Sequence, residues 1–158
     1  MRGLSYLAFA AGYRRVSLVL IEDGQIATWH TSKRAARDPE NAGRFAREFI
    51  DLLGPTVVVM EDIASETRKG AQAKALLKAI RDEAERAKTQ LLPLKREKLF
   101  RTRYDEAMYL VRFHPELEDK VKDRTFCDRE PHQVVLFEAL ALAHQAAQGG
   151  SMLLASKM

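Results

Sequence analysis

The chain has 158 residues, 46% hydrophobic and 30% charged, with a formal net charge of +4 and a single cysteine. This length suits one domain with a sizeable core, and the composition excludes a disordered tail or a fibre. No apolar stretch approaches a membrane span, and the lone Cys127 offers neither a disulfide framework nor metal-ligand spacing, which fits a reducing cytoplasm. The opening M-R-G-L-S-Y-L-A-F-A-A-G weakly imitates a signal peptide. With one Arg ahead of a short apolar run, it reads better as a strand that the fold needs.

Residues 4–10 form that first strand, and Arg15–Glu22 a second. Asp23-Gly24 is a two-residue hairpin signal, so Gln25–Thr31 should pair back as a third. Asp38 caps a helix that begins at Pro39, carries Ala42, Phe45, Ala46, Phe49 and Leu53 on one face, and stops at Gly54-Pro55. Thr56–Glu61 is apolar on both faces until its end, as a central strand covered on both sides should be. A long helix from about Arg68 to Lys88 follows, then a short strand, Gln90–Leu94. Residues 104–122 are helical but broken at His114-Pro115. Pro131 opens a last helix, expected to end at Gly149-Gly150, so that residues 1–148 make the domain and 149–158 a flexible tail.

The segment K-R-E-K-L-F-R-T-R holds Lys95, Arg96, Lys98, Arg101 and Arg103 against Glu97. It suits an anionic partner, with Phe100 able to stack on a base, or else it is a solvated basic loop. Lys74, Lys78 and Arg81 on the long helix extend the same surface. There is no phosphate-binding glycine loop, no nucleophile elbow and no H-E-x-x-H. Cys127 and His132 could form a nucleophile pair by composition, but their spacing gives no support. His30, His114 and His144 read as structural or surface residues.

The strand V-V-V-M-E-D ends in two adjacent carboxylates, Glu61 and Asp62, and Glu138 directly precedes A-L-A-L-A in the last helix. Only one of the two neighbouring acids can face a given side of a sheet. A buried Glu138 needs either a metal or an ion pair with an Arg or Lys at the core edge.

The element order and these two acids resemble the ribonuclease H-like superfamily, and within it the RuvC-type Holliday junction resolvases. The resemblance implies a mixed α/β fold: a five-stranded sheet, antiparallel meander plus parallel strands, with helices on both faces. It also implies Mg²⁺ or Mn²⁺ held by carboxylates, a branched DNA or RNA–DNA hybrid partner, and a homodimer. Glu61 matches the acid that ends the central strand, and Glu138 the acid of the last helix. The resolvase Asp-Pro-Gly at the end of the first strand corresponds to Ala10-Ala11-Gly12, and residues 1–21 contain no Asp or Glu. A further acid of the last helix falls on Val135.

Two-metal phosphodiester cleavage needs a ligand that bridges both ions. The resemblance therefore implies a nucleic-acid-binding protein whose catalysis is compromised at Ala10. The alternatives are an active structure-selective endonuclease in which Asp62 or His132 helps Glu61 and Glu138, a protein-interaction scaffold, and an active enzyme in which Ala10 is an engineered change.

Overall fold

The computed structural model describes residues 4–12, 14–63, 69–95, 102–121 and 131–157, with side chains of the last segment described for 133–149. Strands β1 (Ser5–Gly12), β2 (Arg15–Glu22) and β3 (Gln25–Ser32) form the expected meander. Asp23 and Gly24 both take positive φ, 52° and 80°, as the twist of a tight hairpin requires. Helix α1 (Pro39–Leu53) starts where the sequence sets it: Asp38 accepts a hydrogen bond from the Asn41 N–H at 2.8 Å. Gly54 ends the helix in the left-handed region, φ 53°, and its N–H donates to Ile50 O.

Strand β4 (Val57–Glu61), helix α2 (Ala71–Arg86) and strand β5 (Gln90–Leu94) follow, then α3 (Arg103–Phe113), a 3₁₀ turn at Pro115–Val121 and α4 (Pro131–Lys157). The sheet order is β3-β2-β1-β4-β5, with β1, β4 and β5 mutually parallel. The mixed α/β sheet expected from sequence is therefore the one observed. The last helix differs from its expectation. It runs through Gly149-Gly150 to Lys157 instead of stopping there. Glycine lowers helix propensity without forbidding it, and M-L-L-A beyond it are strong helix formers.

Alternation along the strands divides the core in two. Tyr6, Ala8, Ala10, Val57 and Val59 face α3 and α4, whereas Leu7, Phe9, Ala11, Val58 and Met60 face α1 and α2. This parity decides which residue at each strand end turns toward α4. Gly12, Arg15, Ser32, Glu61 and Leu94 all lie at one end of the sheet, by the strand registers. Among the described residues no helix is long and apolar enough to cross a membrane.

Candidate functional site

At this end of the sheet the two acids singled out in the sequence come together. Glu61 continues the Val57–Val59 face of β4 toward α4, and its side chain is 13% exposed. Glu138 projects from α4 between Val134, Val135 and Leu142, with 5% exposure. Ala10 lines the same cleft, with Phe9, Lys69, Leu77 and Leu142. Asp62 does not join them. It follows the end of β4 and is not among the residues lining the cleft, and its N–H donates to Leu94 O at 2.8 Å. His132 is in the first turn of α4, and its side chain lies outside the described residues.

Lys69, which the sequence reading did not single out, stands between the two acids. Its Nζ donates to Glu138 Oε2 at 3.0 Å and Oε1 at 3.2 Å, and to the Ala11 carbonyl at 2.6 Å. Glu61 Oε2 is 4.0 Å away. The core-edge cation that a buried Glu138 demands is thus Lys69. A local signal for it existed. Lys69 immediately precedes α2, whose cap is Gly70 and whose first turn holds no acid. A cation there is disfavoured by the helix dipole, and an anionic partner offsets that.

The resemblance implies divalent ions, and the described residues lining this cleft do not fit them. Ala10, the position the resemblance gives to the bridging aspartate, brings no oxygen ligand to the cleft. Val135, where the resemblance puts a further acid, is apolar, and it lies with Glu138 beside Gly12: a Cβ there would be 3.8 Å from Val135 Cγ2 and 3.9 Å from Glu138 Oε2. With Lys69 in place, no water-sized void is left among the cleft side chains. Among the described residues no group of three or more His, Cys, Asp or Glu could hold a metal.

The surrounding strand ends are cationic. Lys95 is exposed just beyond β5, Arg103 is exposed at the start of α3, and Lys74 is exposed in the first turn of α2. Lys78 is exposed one turn further along. Arg81 is half-buried about 15 Å from the start of α2, at 1.5 Å per residue. Arg96, Lys98, Phe100 and Arg101 lie outside the described residues. The structure adds cations that the sequence reading passed over: exposed Arg14 and half-buried Arg15 in the β1–β2 turn, and exposed Lys33, Arg34 and Arg37 after β3. They are scattered in sequence and meet only because β2 begins, and β3 ends, where β1 and β4 end.

No protein-family profile matches the sequence, and no curated protein does. Solved structures do. The chain is similar to Thermus thermophilus RuvC in complex with a Holliday junction substrate, with a TM-score of 0.62 and 14% identity, covering 94% of this chain and 96% of that one. Another T. thermophilus RuvC structure gives 0.59 and 16% over the same shares. Fowlpox virus resolvase in complex with substrate Holliday junction DNA gives 0.59 and 10%, covering 92% of this chain and 98% of that one. The chain has the ribonuclease H-like fold of the RuvC-type resolvases.

Proposed function

We propose that this protein binds branched DNA through the cationic end of its sheet and does not cut it. The observation that carries this reading is one end of one sheet: Ala10 lines its carboxylate cleft at the position the resemblance gives to the β1 acid, while Arg14, Lys33, Arg34, Arg37, Lys74 and Lys95 are exposed around it. Both structural neighbours solved with Holliday junction DNA share this fold across nearly the whole chain, which supports the choice of ligand. Binding rests on phosphate contacts and counterion release, so it is strong at low salt and largely blind to sequence. A dimer would offer two such ends to one four-way junction and favour it over a linear duplex.

The test is a mobility-shift titration of a four-way junction, a linear duplex and an RNA–DNA hybrid, run in EDTA and repeated with Mg²⁺ or Mn²⁺. The expected result is a shifted, intact junction in every condition. Failure to bind any of the three at low salt sinks the nucleic-acid reading and leaves a protein-interaction scaffold. Metal-dependent nicking that is lost in Glu61→Gln establishes the rearranged endonuclease instead.

A further inference from the structure

We infer that the Lys69 ammonium is the protein's built-in replacement for a divalent cation, holding the carboxylate cleft closed without metal. The inference deepens the non-cutting reading above and rests on it. Its readout, however, is metal uptake and stability, not DNA binding.

Four oxygens from three elements converge on one cation. Ala11 O comes from β1, both Glu138 oxygens from α4 and Glu61 Oε2 from β4, at 2.6, 3.0, 3.2 and 4.0 Å. Hard divalent ions take oxygen ligands of this kind, and so does an ammonium, through three N–H donors. Three features favour the ammonium. Ala10 and Val135, the positions at which the resemblance puts further ligands, are apolar and buried. With Lys69 in place no water-sized void is left among the cleft side chains, whereas Mg²⁺ usually retains several waters. Lys69 also sits against the dipole of α2, a local conflict offset because Glu138 and Ala11 O accept its hydrogen bonds. The result is a cross-link. It ties the entry of α2 to β1 and α4, beneath the cationic rim, and fixes those strand ends whether or not metal is present.

The test is a Mn²⁺ titration by calorimetry and electron paramagnetic resonance on the wild type, on Lys69→Ala and on the double variant Ala10→Asp/Lys69→Ala. The wild type should show no saturable site up to about 1 mM, the range of weak oxygen-ligand sites. The double variant should bind Mn²⁺ about tenfold tighter or better, because it gains a carboxylate and loses the competing cation. Ala10→Asp alone should gain little, since the introduced carboxylate would pair with Lys69. A folded double variant with no gain in Mn²⁺ affinity overturns the inference. Should the Lys69 variants fail to fold, the wild type alone decides: no saturable site supports the inference, and one-to-one Mn²⁺ binding lost in Glu138→Gln overturns it. A junction shift in EDTA addresses the functional reading separately.

Discussion

Lys69→Met removes the ammonium and keeps most of its aliphatic stem. Glu138, whose side chain is 6% exposed, loses the donor of contacts at 3.0 and 3.2 Å, and it remains on a helix that cannot carry it to water. Removing one partner of a buried pair costs about 3–5 kcal/mol. Lys69 is 13% exposed, so the lower end applies, about 3 kcal/mol. For a domain of this size each kcal/mol moves Tm by about 2–4 °C, which gives a drop of about 6–12 °C. Glu138→Gln should cost less, about 1 kcal/mol, because the flexible lysine can turn toward Glu61 and solvent. Lys69→Met/Glu138→Leu replaces the pair with apolar groups beside Val134, Val135 and Leu142, and should recover most of the loss. With the Glu138→Leu single variant closing the cycle, the coupling should be about 1–3 kcal/mol, measured by calorimetry or by circular dichroism melts. A Lys69→Met Tm within about 2 °C of wild type, or strictly additive variants, would refute the reasoning.

Other consequences can be checked independently. His114 and His144 contact each other at 3.1 Å, Nε2 to Nδ1, and are 2% and 9% exposed. Burial lowers both pKa values, opposed at His114 by Glu116 and reinforced at His144 by His114. Below about pH 6.5 the unfolded chain therefore binds protons that the folded one refuses, and stability falls with pH until the folded values are passed. Urea midpoints at pH 7.5 and 5.5 should show this loss, and His144→Leu should reduce its pH slope. Asp38→Ala removes the cap on Asn41 N and should cost about 1 kcal/mol in a thermal melt. Replacing Lys33, Arg34 and Arg37 with Ala should weaken junction and duplex binding alike, and flatten the log affinity–log salt slope by roughly two to three. An unchanged slope would remove that rim from the binding surface.

Most of the architecture could be read from local chemistry. Asp23-Gly24, Asp38-Pro39 and Gly54-Pro55 each have one favourable backbone solution, and the apolar runs between them have strand or helix periods. Helix α4 runs past its expected stop because the helix formers after Gly149-Gly150 offset the two glycines. The acids were legible because Glu61 ends an apolar strand and Glu138 interrupts an apolar helix. Lys69 was not, since its role depends on a contact 69 residues away in sequence. The same holds for Arg14, Lys33, Arg34 and Arg37. Their charge is ordinary in the sequence and becomes a rim only through strand order.

The central claim is that this sheet end holds nucleic acid without cutting it. Its most direct test is a labelled four-way junction incubated at low salt with saturating protein and Mn²⁺, then resolved on native and denaturing gels. The account predicts a fully shifted junction on the first and uncut strands on the second. Symmetric nicks that appear with Mn²⁺, vanish in EDTA and are lost in Glu61→Gln would contradict it.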